Sequence, residues 1–436
     1  VTILDGIRDK LPDAEIIYES GCDLVDTWVR TSLYENFSNR QKNSEGLYVE
    51  FFNNNRFEGN PVATKINNEG IRYNNSGGTA LAQGVKMDNT STRISGIFTA
   101  PYTGEVVMSA RTSDQYRLYM DGVEVMSQSG REASVPSEYA FNATKGKTYE
   151  IMLEHTQTGR RVNIDFSIFR KELAQFEGLT ERIKDVDVII YVGGLSPRLE
   201  GEEMPVSADG FKGGDRQRLE LPDVQRRLLA DLKKTGKPVV FVLCSGSSLA
   251  LEQDEQNYDA LLAAWYGGQA AGTAVADVLF GDYNPAGRLP ITFYKSTEQL
   301  DNALEKANNP EHLGFQNYNM EGRTYRYMKE EPLYPFGHGL SYSEFRYGEA
   351  RMGSNRVKAV EGTNIIIPVT NQSSTGGEEV VQLYVRRNND PEAPNKSLCA
   401  FKRIYLAPGE TKEVELNVHA DAFEFYDGPT DGLIPK

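Results

Sequence analysis

Three carboxylate side chains follow an apolar, strand-like run near the middle of the chain. The run DVIIYVGG at 187–194 leads into LSPRLEGEE, which carries Glu200, Glu202 and Glu203. In an extended segment Glu200 and Glu202 share one face, whereas Glu203 points to the other. Two close carboxyl groups raise each other's pKa, and a carboxyl group that keeps its proton near neutral pH can act as a general acid. The same residues also fit a solvated acidic loop, so the residue pattern alone leaves both interpretations open.

The segments around this loop predict an α/β fold. Apolar runs alternate with segments of helical periodicity, which is typical of a largely parallel sheet covered by helices on both faces. The predicted elements are a helix at 171–185, a strand at 186–194, a helix at 221–236, a strand at 237–246, and a helix or helix pair at 258–281. Ligands bind at the carboxyl ends of strands in such sheets, so the position of the loop favours a functional role for its carboxylates.

The remaining stretches complete a multidomain α/β plus all-β chain. Residues 1–45 read as the start of an α/β unit, with a helix at 2–11 and a strand at 14–21. Residues 46–170 show short alternating strands separated by turn signals, the pattern of an all-β sandwich or barrel. This β region begins and ends inside α/β sequence, which predicts a domain inserted into a loop. From residue 343 the chain is again all-β.

Composition argues against several classes of function. The net charge of −15 argues against nucleic-acid binding, which depends on clustered Lys and Arg. No apolar run approaches the roughly 20 residues of a membrane-spanning helix. Three cysteines and four histidines are scattered and fit neither a disulfide framework nor a zinc site. No phosphate-binding glycine motif follows a strand, so a nucleotide-binding α/β protein is not favoured. The sequence therefore predicts no metal and no cofactor.

Four motifs, in this order along residues 171–342, carry a specific resemblance. They are YVGGLSPRLEGEE…GGDRQRLELPDVQ, KPVVFVLCSG, WYGGQAAGTAVADVLFGDYNPAGRLPITFY and NMEGRTYRYMKEEPLYPFGHGLSY. Together they resemble the C-terminal part of glycoside hydrolase family 3 enzymes of the β-glucosidase and β-xylosidase type. The resemblance implies that 1–45 and 171–342 are two parts of one α/β sandwich domain. It also implies a PA14-like β-domain inserted at 46–170 and a fibronectin type III-like domain at 343–436.

The resemblance implies an exo-acting retaining β-glycosidase that hydrolyses terminal non-reducing sugars of short oligosaccharides. In this family a glutamate of the sandwich-domain loop is the acid/base, and an aspartate of a preceding (β/α)₈ barrel is the nucleophile. Members carry either an ExE or a GEG pattern, and alignment of the two assigns the acid/base to Glu202, with Glu200 as the alternative. Glu203 is expected to face away or to pair with an arginine. A barrel needs about 250 residues, so we expect this chain to supply the acid/base but not the nucleophile.

Other positions in these motifs receive structural roles. Asp215 and Arg216 are expected to anchor the return of the loop to the next helix, Arg216 through an ion pair. The small residues of WYGGQAAGTAVADVLFG are expected to let helices pack closely. GRTYRYM and YPFGHGLSY are expected to wrap the domain rather than to face a sugar. In the insert, Asp114 is followed by Gln115, which breaks the paired-Asp turn that holds calcium in carbohydrate-binding relatives of PA14.

The expected partners follow from the same resemblance. They are an oligosaccharide or aryl β-glycoside substrate and the missing N-terminal barrel. No nucleic acid and no membrane span are expected. A homodimer is also among the expected assemblies. The family implies a location in the bacterial periplasm or outside the cell. The alternative from another class is a non-catalytic carbohydrate-binding or adhesin-like protein that uses the PA14 module.

Overall fold

The computed structural model of the chain describes residues 1–436 except 76–77, 131–135, 202–205, 213–214, 302–319, 321, 354–355, 359–360, 389, 391–392, 427–432 and 436. It divides into two compact units. Unit 1 comprises Val1–Leu24, Phe176–Glu202 and Asp215–Lys436, and unit 2 comprises Val25–Gln175 and Glu203–Gly214. None of the described helices is both long enough and apolar enough to cross a membrane.

The helices of the described residues belong to unit 1, apart from one turn of 3₁₀-helix at Tyr34–Asn36. The α-helices are α1 (Ile3–Lys10), α2 (Glu177–Arg182), α3 (Asp223–Lys234), α4 (Ala271–Leu279) and α5 (Thr324–Tyr327), and two further 3₁₀-helices are Glu252–Asn257 and Ala420–Phe423.

The strands divide between the two units. Those of unit 2 are β1 (Trp28–Ser32), β2 (Phe37–Asn39), β3 (Ser44–Glu45), β4 (Leu47–Phe52), β5 (Ala63–Asn67), β6 (Ile71–Asn74), β7 (Thr90–Thr99), β8 (Gly104–Thr112), β9 (Gln115–Met120), β10 (Val123–Gln128), β11 (Ser137–Ala143), β12 (Thr148–Gln157), β13 (Asn163–Leu173), β15 (Ser207–Ala208) and β16 (Phe211–Lys212). Those of unit 1 are β14 (Ile189–Gly194), β17 (Asp215–Arg216), β18 (Val239–Cys244), β19 (Ala260–Ala263), β20 (Phe345–Tyr347), β21 (Arg351–Met352), β22 (Thr363–Asn371), β23 (Gly377–Val385), β24 (Ser397–Leu406), β25 (Thr411–Val418), β26 (Glu424–Tyr426) and β27 (Leu433–Pro435).

A three-stranded parallel sheet, in the order β14-β18-β19, organises the first part of unit 1. Ile189 lies opposite Val239, and Gly194 lies opposite Cys244. The amphipathic helix α3 connects β14 to β18 and buries its leucines. This arrangement confirms the predicted parallel α/β sheet. The carboxyl ends of all three strands therefore meet at one edge, because parallel strands run in the same direction.

Two element predictions for unit 1 are wrong. Residues 14–21 form no strand; Ile17 and Tyr18 are 45% and 63% exposed, so this apolar run has no face to bury. The segment 258–281, predicted as a helix or helix pair, begins with strand β19 and becomes helical only at α4. Periodicity alone does not distinguish a short buried strand from a buried helical segment.

Helices α1 and α4 pack unusually closely. A Cβ atom added to Gly6 would lie 2.2 Å from the carbonyl oxygen of Gly272. The helices can approach to this distance only because both positions lack a side chain. The structure thus confirms the packing role predicted for the small residues of this segment.

The main part of unit 2, Val25–Gln175, is built from two antiparallel sheets around one hydrophobic core. One sheet has the order β1-β13-β8-β11 with β6 beside β13, and the other has the order β10-β9-β12-β7-β2-β3 with β4 beside β7 and β5 beside β4. Large apolar side chains such as Phe51, Phe98 and Phe166 fill the core with almost no exposure. The short alternating strands predicted for this region are therefore confirmed.

The first and last long strands of unit 2 lie side by side. In the antiparallel pair β1–β13, Trp28 lies opposite Leu173 and Ser32 opposite Phe169, so the two ends of this β region are adjacent. The β structure begins before residue 46 and continues to Leu173, where a helix was predicted. The sequence hides β1 because all five of its residues are exposed, so it lacks the alternation that marks a strand.

The C-terminal region of unit 1 is all-β, as predicted. Strands β20 and β21 flank β22, which also pairs with β25, while β23 pairs with β24. Its small core consists of five buried apolar residues: Val369, Val381, Leu406, Val414 and Leu416. Its longest strands are β24, with ten residues, and β22 and β23, with nine residues each.

His155 is a buried imidazole inside unit 2. It is 0% exposed and lies between Thr92 and Tyr116 on the neighbouring strands. In the described part of the chain neither ring nitrogen has a hydrogen-bond partner. Burial lowers the pKa of His155 from 6.5 to about 4. Since the unfolded chain binds this proton near pH 6.5 and the folded chain only near pH 4, stability falls as the pH falls through that window.

We expect His155→Leu to remove this part of the acid sensitivity. Between pH 6.5 and 4 the wild type should lose up to roughly 3 kcal/mol of unfolding free energy that the variant does not lose. Urea unfolding across this range measures the difference. The control is His419→Gln, which replaces an exposed histidine instead of a buried one. Parallel stability curves for wild type and His155→Leu would contradict the assignment.

Candidate active site

The chain leaves the parallel sheet at Gly194 and turns towards Glu200. The N–H of Leu195 donates to the carbonyl oxygen of Cys244 at 2.7 Å, which continues the sheet contact one residue beyond β14. The N–H of Glu200 then donates to the carbonyl oxygen of Ser196 at 3.1 Å and closes a turn. Glu200 therefore lies on a short, hydrogen-bonded turn just past the carboxyl end of β14.

Of the three carboxylates singled out in the sequence, the structure describes one. Glu200 is half-buried, whereas Glu202 and Glu203 lie outside the described residues. The assignment of the acid/base to Glu202, with Glu200 as the alternative, thus stays a prediction.

Gly194 and Gln225 fix the point at which the loop leaves the sheet. Gly194 has φ +121°, and a Cβ there would lie 2.1 Å from the carbonyl oxygen of Cys244. Gln225 is 1% exposed; its amide accepts from the Gly194 N–H at 2.7 Å and from the Tyr191 hydroxyl at 3.0 Å. The same amide donates to the carbonyl oxygens of Gly194 and Leu24. One side chain from α3 thus satisfies both backbone groups of Gly194.

The Glu200 carboxylate accepts hydrogen bonds from three donors. Its Oε2 accepts from the Gly246 N–H at 2.8 Å and from the Tyr266 hydroxyl, while Oε1 accepts from the Ser247 hydroxyl. Gly246 and Ser247 follow β18, and Tyr266 follows β19. One carboxylate therefore fastens the turn after β14 to the ends of the other two strands of the sheet, β18 and β19.

Tyr266 is presented by an uncommon backbone conformation. The preceding Trp265 has φ +56°, a left-handed value that is a genuine outlier for a bulky residue. The Trp265 ring meets Phe293 edge-on at 6.3 Å between ring centroids. Burial raises the pKa of Tyr266, and its hydrogen bond to Glu200 raises it further, so the phenol remains a protonated donor at neutral pH.

Arg216 supports the same network from the far end of the loop. Its guanidinium donates to the Ser247 hydroxyl and to the carbonyl oxygen of Ser248, both at 2.7 Å, and to the carbonyl oxygen of Leu219 at 2.8 Å. Burial lowers the pKa of Arg216, while the charge of Glu200 acts in the opposite direction. Among the described residues Arg216 anchors the loop through hydrogen bonds, and the expected ion pair is not formed.

The partners of Glu200 were missed in the sequence. The rule that points to strand ends would have found Ser247, which directly follows β18 and its Ser-Gly turn. Tyr266 was missed because the segment that forms β19 was predicted to be helical. The carboxyl end of this strand was therefore not recognised as part of the sheet edge. The signal for Tyr266 was the short apolar run ALLAA followed by an aromatic pair and two glycines.

The sequence match decides the family. Residues 1–342 match the glycosyl hydrolase family 3 C-terminal domain, and residues 379–434 match a fibronectin type III-like domain. The chain belongs to glycosyl hydrolase family 3. A PA14 domain is not among these matches.

Relatives of this family 3 chain are named as β-glycosidases. A xylan 1,4-β-xylosidase of Xylanibacter ruminicola is 37% identical over 100% of this chain and 49% of its own length, and a periplasmic β-glucosidase of Salmonella typhimurium is 35% identical over 59% and 32%. A crystal structure of β-glucosidase from Kluyveromyces marxianus with glucose matches with TM-score 0.53 and 23% identity, over 98% of this chain and 51% of that one, which shows the fold alone. The chain spans about half the length of the xylosidase.

The motif GDYNPAGRLPIT holds the C-terminal β region of this family 3 chain in place. The Asn284 amide donates to the Ser343 hydroxyl at 2.8 Å and to the carbonyl oxygen of Gly376 at 3.1 Å. Arg288 forms a 2.6 Å ion pair with Glu379, and both side chains are largely buried. The motif therefore contributes contacts between the α/β part and the β part of unit 1, and not groups at the sheet edge.

The GRTYRYM segment packs inside unit 1. Tyr325 stacks on Phe336 of YPFGHGLSY at 4.7 Å between ring centroids and meets Tyr384 edge-on. The N–H of Thr324 donates to the Tyr294 hydroxyl at 3.1 Å. These contacts agree with the structural role expected for the segment.

Asp114 of unit 2 has a structural contact of its own. Its Oδ2 accepts from the N–H of Thr158 at 3.1 Å. Across the described residues no group of three or more His, Cys, Asp or Glu side chains is placed to hold a metal ion.

We expect Gln225→Leu to destabilise unit 1 strongly. Leucine has nearly the same volume, but it leaves the N–H and the carbonyl of Gly194 buried without partners, at a cost of at least about 2 kcal/mol. Thermal and urea unfolding measure the loss. Gln217→Leu, at an exposed position before the same helix, is the matched control and should change stability little. Equal stability of the two variants would show that Gln225 does not hold the end of β14.

Proposed function

We propose that the protein is an exo-acting retaining β-glycosidase, a β-xylosidase or β-glucosidase, in which this chain supplies the acid/base. The observation that carries the proposal is the turn bearing Glu200 at the carboxyl edge of the parallel sheet, in a chain of glycosyl hydrolase family 3. Hydrogen bonds tie Glu200 to the segments that follow the other two strands of the sheet, β18 and β19. Such an edge is where α/β sheets bind ligands.

Glu202 is the acid/base in this proposal, and the structure supplies a reason to prefer it over Glu200. Both carboxylate oxygens of Glu200 already accept hydrogen bonds from protein donors. A general acid must instead direct its proton at the glycosidic oxygen of the substrate. The engaged carboxylate thus suits an anchor, and the acid/base falls to the neighbouring glutamate of the same motif.

The reaction has two steps. An aspartate outside these 436 residues attacks the anomeric carbon while Glu202 gives its proton to the departing oxygen, which breaks the glycosidic bond and forms a glycosyl-enzyme ester. Glu202, now a carboxylate, takes a proton from water as that water attacks the anomeric carbon, which releases the sugar and regenerates both carboxyl groups. No metal or cofactor is required in this scheme.

Substrate and location are part of the same proposal. The xylosidase name belongs to a relative that matches the whole of this chain, so terminal β-xylosides are the first substrates to test and β-glucosides the second. We assign 46–170 to a PA14-like module that limits substrates to short oligosaccharides. A periplasmic or extracellular location accords with the name of the Salmonella relative, and a homodimer is the assembly to test by light scattering.

A substrate panel on the complete enzyme containing this chain tests the proposal. With xylobiose, phenyl β-xyloside and phenyl β-glucoside, Glu202→Ala should lower kcat/KM by about 10²–10⁴-fold, the usual contribution of a general acid/base. The 436-residue chain alone should be nearly inactive. Glu200→Ala is the matched control within the motif and should lose less.

Two results would contradict the proposal. Robust turnover of an aryl β-glycoside by the isolated 436-residue chain would place the nucleophile inside it. Full activity of Glu202→Ala in a folded enzyme, checked by circular dichroism, would remove Glu202 from the chemistry.

A further inference from the structure

We propose that Tyr266 is a positioning residue for the acid/base: together with Ser247 it holds the Glu200 carboxylate, and this fixes the turn from which the acid/base loop continues. The inference rests on the proposed function and assigns a role to residues that touch no reacting atom. It is carried by the hydrogen bonds of Glu200 to the ends of β18 and β19.

Tyr266 is 37% exposed, and the backbone that precedes it holds its hydroxyl towards Glu200. It directly follows Trp265, whose left-handed φ of +56° turns the chain sharply after β19. Strained backbone of this kind persists only where the surroundings over-determine it, and the edge contact of Trp265 with Phe293 is one such restraint. The conformation that costs energy at Trp265 is therefore the one that presents the Tyr266 hydroxyl to Glu200.

Ser247 connects Glu200 to a second, buried anchor. Its hydroxyl donates to Glu200 and accepts from the Arg216 guanidinium at 2.7 Å. Arg216 also holds the carbonyl oxygens of Ser248 and Leu219, so it joins the turn after β18 to the segment that leads into α3. Both ends of the loop between β14 and α3 are thus fastened to the same serine.

Gly246 provides the space for this arrangement. A Cβ there would lie 3.1 Å from Oε2 of Glu200 and 2.9 Å from the Tyr266 ring. The carboxylate and the ring both close over a backbone position that carries no side chain. All three donors can therefore come within hydrogen-bonding distance of the Glu200 carboxylate.

Chain geometry transmits the restraint to the acid/base. Glu202 is two residues beyond Glu200 in the sequence, so only one residue separates it from the anchored position. If the hydrogen bonds that hold Glu200 are lost, the short segment that leads to Glu202 is no longer anchored. Misplacement of a catalytic group by about 1 Å can lower a catalytic rate by as much as 10²-fold. The step that suffers is proton donation to the leaving group.

The dependence on leaving group separates this role from a general structural one. In the complete enzyme, Tyr266→Phe removes only the hydroxyl and should lower kcat/KM for a phenyl glycoside, which needs protonation, by about 10-fold or more. It should change kcat/KM for the 2,4-dinitrophenyl glycoside little, because that leaving group departs without a proton. Tyr283→Phe is the matched control, since it removes a hydroxyl that donates to the carboxylate of Glu378 at 3.1 Å elsewhere in unit 1.

A double-mutant comparison tests whether Tyr266 acts through Glu200. Glu200→Gln alone should show the same leaving-group dependence, and adding Tyr266→Phe to it should cause little further loss. Additive losses would show that Tyr266 acts independently of Glu200 and would overturn the inference. Equal losses for both leaving groups, or no loss at all, would also overturn it.

The same experiment separates this inference from the proposed function. If Glu202→Ala shows strong leaving-group dependence and Tyr266→Phe does not, only the positioning role fails. If Glu202→Ala shows no such dependence, the acid/base assignment fails, whatever the behaviour of Tyr266→Phe.

Discussion

The carboxylate of Glu200 joins the ends of three parallel strands. It sits on the turn after β14 and accepts hydrogen bonds from groups that follow β18 and β19. A half-buried carboxylate is costly to desolvate, and charge-assisted hydrogen bonds compensate for that cost. Loss of any one of these hydrogen bonds would leave the Glu200 carboxylate only partly compensated for its desolvation. This makes the arrangement specific, and in the proposed mechanism the acid/base loop continues from this turn.

The backbone beneath this network is equally constrained. Gly194 approaches the β18 backbone too closely for any side chain. The Gln225 side chain forms hydrogen bonds with the N–H and the carbonyl oxygen of Gly194. Gln225 also reaches the carbonyl oxygen of Leu24, so the first segment of unit 1 and the strand β14 share one buried amide. A fixed strand end is what a catalytic group needs, because scaffold elements hold geometry better than free loops.

Much of this organisation was predictable from the sequence, and the failures have physical reasons. Continuous apolar runs identified β18, which is largely buried, and β14, which buries Ile189 and Tyr191 although Val192 is exposed. The ordered family motifs identified the family. The strand β19 was not predicted because the four apolar residues ALLA show neither helical nor strand periodicity. Tyr266, which follows this strand, was therefore not identified as a candidate site residue. The exposed β1 was missed since its pairing with β13 is a contact between residues far apart in sequence. The partners of Glu200 likewise depend on strand ends that only the folded sheet brings together.

The pH dependence of kcat/KM in the complete enzyme tests the central claim most directly. The alkaline limb of a bell-shaped profile reports the group that must be protonated in the free enzyme. The account predicts that Glu202→Gln abolishes this limb with a phenyl glycoside, whereas Glu200→Gln lowers the whole profile but keeps the limb. Loss of the alkaline limb in Glu200→Gln, with its retention in Glu202→Gln, would contradict the account.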